Sequence, residues 1–88
     1  MKTKTQSGYR SDDVDKRHEL ILYNDDKHSV PEVMDMLMTL CKHSVMQAEQ
    51  CVLIAHNVGK CSIKRGGYTN LLDLSFEMKN HGFNVEII

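Results

Sequence analysis

The residues best suited to chemistry in this sequence form one polar triplet, Asn24-Asp25-Asp26. The triplet follows the apolar run Leu20-Ile-Leu-Tyr23 and places two carboxylates beside an amide. These groups are acceptors, so they suit a small cation such as an ammonium group. Asn and Asp are also common turn residues, because their side chains bond nearby backbone N–H groups. From the triplet alone, a cation-binding site and a simple turn both remain open.

The other reactive side chains show no pattern typical of an enzyme or a metal site. The chain has five His and three Cys, but the pair Cys41-x-His43 falls near a predicted helix end, where a two-residue step directs side chains apart. Neither a glycine-rich phosphate loop nor a G-x-S-x-G nucleophile motif is present. An enzyme using Asp25 and His56 would need a turnover reaction that nothing else in the sequence indicates. We therefore predict no metal, no cofactor and no enzymatic activity.

Size and composition predict one small cytoplasmic domain. The 88 residues are 41% hydrophobic with a net charge of −1, and the lack of a basic excess argues against nucleic-acid binding. No apolar run reaches the roughly 18–20 residues that cross a membrane, and the polar start Met1–Gly8 does not resemble a signal peptide. Cys41, Cys51 and Cys61 form no C-x-x-C pair, which is typical of free, mostly buried thiols in a reducing cytosol.

Hydrophobic periodicity predicts the elements that position the triplet. A strand over Glu19–Tyr23 precedes it, and the S-x-x-E capping box that begins at Ser29 starts a helix over about Val30–Lys42. A second capping box at Ser44 starts a helix that runs to about Val58 and ends at Gly59. The short link makes the two helices an αα-hairpin. His56 lies on the apolar side of the second helix, one turn after Val52.

The remaining elements complete an α+β domain over residues 18–88. An extended segment spans Lys60–Tyr68, a helix capped by Thr69 runs to about His81, and a final strand covers Phe83–Ile88. The order β-α-α-β-α-β predicts a small antiparallel three-stranded sheet packed against three helices. Residues 1–17 are polar without an apolar period, which predicts a disordered N-terminal arm.

Taken together, these residues resemble the ClpS family, the N-end rule adaptors that deliver substrates with destabilising N-terminal residues to the Clp AAA+ protease. The resemblance rests on Leu20-Ile-Leu-Tyr-Asn24-Asp25-Asp26 followed by His56-x-x-Gly59-Lys60. It covers Glu19–Cys61 well and extends more loosely to Gly82–Ile88.

The resemblance implies a role for each matching residue. Asn24, Asp25 and His56 would hold the free α-amino group and first backbone atoms of a substrate, with Asp26 in support. A large hydrophobic first side chain would enter a pocket lined by Leu22, Val30, Val33, Val52, Ala55 and Val85. The implied partners are the N-terminal peptide of the substrate and the N-terminal domain of a Clp-type unfoldase. The resemblance implies a monomer that binds neither nucleic acid nor membrane.

The sequence departs from the family at two places. Val30 and Val52 stand where the family usually has Met, and Ala55 stands where it usually has Val, so the pocket stays apolar but changes shape. The acidic and Lys-bearing helix through which the family docks on the protease is not recognisable in Thr69–His81.

A second hypothesis belongs to a different functional class. The same architecture resembles the C-terminal domain of the ribosomal stalk protein, a docking module for translation factors. Under this interpretation the helix surfaces carry the function, and Asn24-Asp25-Asp26 is only a turn. Substituting Asp25→Ala distinguishes the two hypotheses, because only the adaptor would lose binding to the amino end of a peptide.

Overall fold

Three strands and three helices make up the part of the protein that the computed structural model describes, residues 17–88. In chain order they are β1 (His18–Tyr23), α1 (Val30–Thr39), α2 (Val45–Val58), β2 (Lys60–Gly66), α3 (Tyr68–Asn80) and β3 (Val85–Ile87). The predicted order β-α-α-β-α-β is therefore confirmed. Apart from Arg17, the arm predicted for residues 1–17 lies outside the described residues.

The apolar strand β1 is the centre of the sheet. The strand order is β2-β1-β3, and β1 pairs antiparallel with both neighbours. Leu20, Ile21 and Leu22 are all buried, which fits a strand with a neighbour on each side. At the end of the β1–β2 ladder Tyr23 pairs with Lys60, and this pairing fixes where the following triplet lies.

All three helices contribute to one apolar core with the sheet. Its fully buried side chains include Leu20, Leu37, Leu71 and Met78. Within α1, Met36 is buried at 4% exposure while Met38 is 37% exposed, so of these two only Met36 packs in the core. No helix within residues 17–88 is long and apolar enough to cross a membrane.

The three cysteines are free and buried, as predicted. Burial raises the pKa of Cys41 to about 11 and that of Cys51 to about 12, so both are protonated thiols at neutral pH. The ring nitrogen Nε2 of His43 lies 2.7 Å from the Ile63 carbonyl oxygen and must donate to it. In the neutral ring Nδ1 is then an acceptor, and it lies 3.8 Å from Cys51 Sγ. These contacts join the α1–α2 link to α2 and β2.

The helix starts predicted from capping boxes are confirmed. Ser29 N–H donates to Glu32 Oε1 at 2.7 Å, and Glu32 N–H donates to Ser29 Oγ at 3.2 Å. Ser44 and Gln47 form the same reciprocal pair at 2.8 and 3.1 Å. Each box supplies partners for N–H groups that the first turn of a helix leaves free.

Several predicted boundaries differ from the structure, and three of the differences have a visible cause or consequence. Helix α1 ends at Thr39 rather than Lys42, because Lys42 adopts a left-handed φ of 61° that a helix cannot continue through. Helix α3 begins at Tyr68 after Gly67, so Thr69 is not its cap. Strand β3 begins only at Val85, and Phe83 instead contacts the ring of His28.

Candidate functional site

Strand pairing brings the polar triplet against the end of α2. Beyond the last β1–β2 pair, Asn24 N–H donates to the Gly59 carbonyl at 3.0 Å. Gly59 caps α2 with a left-handed φ of 101°, and its own N–H donates to the Ala55 carbonyl at 2.8 Å. His56 precedes this cap in the last turn of α2, so it lies beside the triplet. The two distant parts of the sequence motif therefore meet at one place.

A cavity of about 640 Å³ lies between the triplet, the start of α1 and the end of α2. Its volume is within the range of sites that hold small ligands or single side chains. The polar part of its lining includes Asn24, Asp25, Asp26 and His56. The apolar part consists of Leu22, Val30, Val33, Val52, Leu53, Ala55 and Phe83.

Every residue assigned to the site from the sequence lines this cavity, with the exception of Val85. Val85 pairs with Leu22 across β1 and β3 and is 3% exposed within the core. Val85 therefore does not line this cavity, and α3 packs against β3. Phe83, which lies before β3, lines the cavity from this side.

Asp25 closes the turn that carries the triplet. Its Oδ1 accepts hydrogen bonds from the backbone N–H groups of Lys27 at 2.8 Å and His28 at 3.0 Å. Its Oδ2 lies 3.2 Å from His28 Nδ1. Burial acts to raise the pKa of Asp25, but the hydrogen bonds from His28 and Lys27 outweigh it and lower the pKa. The group is therefore a carboxylate at neutral pH.

The turn does not use all the acceptor positions of Asp25. A carboxylate offers about four lone-pair positions. Two on Oδ1 receive backbone N–H groups and one on Oδ2 faces the His28 ring. About one acceptor position on Oδ2 is therefore not used by the turn. The turn interpretation and the binding-site interpretation of this residue are therefore compatible.

Sequence reasoning missed His28, Phe83 and Leu53. The rings of His28 and Phe83 stack with centroids 3.9 Å apart and an interplanar angle of 16°, and both line the cavity. His28 stands directly after the triplet, but nothing in the sequence pairs it with the distant Phe83. Leu53 follows Val52 on α2 and is 58% exposed. Its position at the cavity could be recognised only in the folded structure.

A metal centre finds no support in the described part of the chain. Among residues 17–88 no group of three or more His, Cys, Asp or Glu side chains is arranged to hold a metal ion.

The structure is a small α+β domain with a cavity at the junction of β1, α1 and α2. Residues 13–86 match the sequence profile of the family described as ATP-dependent Clp protease adaptor protein ClpS. The chain belongs to the ClpS family. The family is one of protease adaptors rather than proteases.

Solved structures agree with the fold. Agrobacterium tumefaciens ClpS2, determined bound to L-phenylalaninamide, is similar with a TM-score of 0.65 and 20% identity, over 84% of this chain and 99% of that one. At this identity the likeness concerns the fold. No curated protein matches the sequence.

Proposed function

We propose that this protein is an adaptor that binds the free N-terminus of substrates with a large hydrophobic first residue and delivers them to a Clp-type unfoldase. The observation that carries the proposal is the composition of one cavity. Acceptors from the turn and from α2 lie at the same cavity as a mostly apolar wall. A free N-terminal residue presents the complementary pair, an ammonium group beside an apolar side chain.

The polar part of the cavity matches the chemistry of an α-ammonium group. An ammonium is a donor without acceptor capacity. Asp25, Asn24 and His56, whose side chains carry acceptor atoms, line one cavity. Charge-assisted hydrogen bonds contribute about 1.5–3 kcal/mol each. The exposed Asp26 adds negative charge near the ammonium group and need not hydrogen-bond to it.

The apolar part of the cavity adds a comparable free energy. Burial of a Leu- or Phe-sized side chain contributes roughly 1.5–3 kcal/mol. Association costs about 4–15 kcal/mol in lost freedom, so the sum favours weak to micromolar binding. An adaptor must release its cargo to the unfoldase, and binding in this range permits release. Agrobacterium ClpS2 was determined with L-phenylalaninamide, which carries both groups.

The amine site is tested by the matched variants Asp25→Asn and Asp26→Asn. Asn at position 25 keeps an oxygen for the backbone N–H groups of the turn but removes the charge that would meet the ammonium. We expect roughly tenfold weaker binding of a Phe-first peptide for Asp25→Asn. For Asp26→Asn we expect less than about threefold, because we assign Asp26 only a supporting role as an exposed, solvent-screened charge. Fluorescence anisotropy measures both affinities, and equal losses for the two variants would contradict the assigned role of Asp25.

The docking-module hypothesis is favoured by one observation on α3. Tyr68, Leu72 and Phe76 are exposed and follow one another at helical four-residue steps. Such a row is typical of a surface that contacts another protein. If docking through this row were the only function, free-amine peptides would not bind and Asp25→Asn would have no effect.

A further inference from the structure

The ring of His28 lies between two groups that only accept hydrogen bonds. Nδ1 is 3.2 Å from Asp25 Oδ2, and Nε2 is 3.2 Å from the carbonyl oxygen of His81. A neutral imidazole has one N–H and donates to only one of them. The imidazolium form donates to both, so only this form bridges Asp25 and His81 by two hydrogen bonds.

Packing fixes the ring in this place. It stacks on Phe83, and the side chain of His28 is only 13% exposed. Gly82 lies close to the ring, since a Cβ added there would be in van der Waals contact with Nε2 at 3.5 Å. His28 and Phe83 line both the 640 Å³ cavity and a second one of about 270 Å³.

Carboxylates outnumber basic groups around the ring. Asp25 faces it from the turn, and Glu32 and Asp35 of α1 line the neighbouring cavity with it. The carbonyl of His81 belongs to the cap at the C-terminal end of α3, where the helix dipole favours cations. The basic groups nearby are the side chains of His81, His56 and the adjacent Lys27, and Phe83 next to β3 is uncharged. Asp26 lines the main cavity as well, so carboxylates remain in excess around the site.

Two hydrogen bonds connect the turn from Asn24 to His28 to the ends of two different helices. Asn24 N–H ties it to the end of α2 at Gly59, and His28 Nε2 ties it to the end of α3 at His81. Oδ1 of Asp25 is held by the turn's own backbone, whereas Oδ2 contacts the His28 ring. His28 therefore connects the Asp25 carboxylate to the C-terminal end of α3.

We propose that His28 is a positioning residue of the amine site, bridging Asp25 to the C-terminal end of α3 and so holding Oδ2 in place for an incoming ammonium. The inference rests on the proposed function and adds a residue to that same site. His28 does not occupy the fourth acceptor position of Asp25, so it orients the carboxylate without replacing the ligand.

The test uses His28→Phe, with Lys27→Ala as the matched control. Phe keeps a ring that stacks on Phe83 but has no ring N–H. Lys27 contacts Asp25 only through its backbone, which Ala preserves. We expect His28→Phe to weaken binding of L-phenylalaninamide roughly tenfold, as for one lost charge-assisted contact, and Lys27→Ala to leave it within about twofold. Unchanged or tighter binding by folded His28→Phe would overturn the proposal.

A double-mutant cycle separates positioning from a general loss of structure. If His28 acts through Asp25, then adding His28→Phe to Asp25→Asn costs less than it does alone. Equal costs in the two backgrounds would overturn the proposal. His28→Gln, which retains one donor, serves as a second variant if His28→Phe does not fold, and we expect an intermediate loss.

A ligand-free measurement keeps this inference distinct from the proposed function. The carboxyl carbon resonance of Asp25, followed by NMR through an acid titration, should shift its midpoint to higher pH in His28→Phe and not in Lys27→Ala. An unchanged titration midpoint of Asp25 in His28→Phe would overturn the proposal that His28 bridges Asp25 to α3. Failure of the wild-type protein to bind L-phenylalaninamide would instead contradict the proposed function, with the titration still deciding the role of His28.

Discussion

Asp25 combines a structural task with the proposed recognition task. Its Oδ1 closes the turn, and its Oδ2 retains about one acceptor position that the turn does not use. Residue types predicted this position, because an Asp in such a turn satisfies backbone donors and supplies charge. The contribution of His28 was not predictable. Its partners His81 and Phe83 are distant in sequence, and only the folded turn after α3 brings them to the ring.

The hydrogen bonds to Asp25 make stability depend on pH. Because they hold its pKa in the folded protein below the ordinary value, Asp25 stabilises the fold above the unfolded-state pKa of about 4. This contribution is lost as the pH falls through the lower folded-state pKa. We expect the free energy of unfolding of the wild type to exceed that of Asp25→Asn at pH 7, and this difference to shrink as the pH falls through the lowered folded-state pKa of Asp25.

Urea unfolding at several pH values measures this difference. Glu32, whose pKa is also lowered by its hydrogen bonds to Ser29, is present in both proteins, so its contribution cancels. A difference between the two proteins that is the same at pH 7 and in acid would show that Asp25 is not stabilised as a carboxylate.

At the scale of elements, the helix starts that depend on neighbouring residues were predicted correctly, and the one that depends on packing between distant segments was not. The starts of α1 and α2 followed from Ser29 and Ser44, because a capping box uses residues within one turn. The start of α3 has no side-chain cap, and Tyr68 there contacts the ring of His18 on β1 with centroids 5.5 Å apart. That boundary depends on packing between distant segments, which the sequence pattern does not encode.

Gly59 links the end of α2 to the site, and its backbone conformation permits this. A Cβ at Gly59 would meet nothing within 4 Å, but φ is +101°. Gly59→Ala should therefore destabilise the fold by about 1–2 kcal/mol through backbone strain alone. Gly66→Ala is the control, since a Cβ there would meet only Leu71 Cδ2 at 4.0 Å and its φ is not left-handed.

Urea unfolding of both glycine variants measures this cost. We expect Gly66→Ala to remain within about 0.5 kcal/mol of the wild type, as surface substitutions usually do. Equal destabilisation by the two substitutions would mean that the left-handed cap at Gly59 carries no particular cost.

At the scale of the molecule, one sheet and three helices bring β1, α1 and α2 together around a single main cavity within residues 17–88. Periodicity predicted the order of elements, and strand pairing explains why Asn24 and His56 meet. Val85 is the one assigned residue that does not line the cavity. Alternation puts Phe83 and Val85 on one face, and both are buried in the core, but only Phe83, which precedes β3, also lines the cavity.

The proposed adaptor function requires that the cavity bind a free amine and an apolar side chain at the same time. The most direct test is fluorescence anisotropy with labelled peptides that differ only in their first residue: Leu, Phe, Tyr, Trp, Met, Arg and N-acetylated Phe. We predict micromolar or tighter binding of the large apolar first residues and loss of binding on acetylation, which removes the ammonium. Binding that survives acetylation, or no binding to any of these peptides, would contradict recognition of the N-terminus at this cavity.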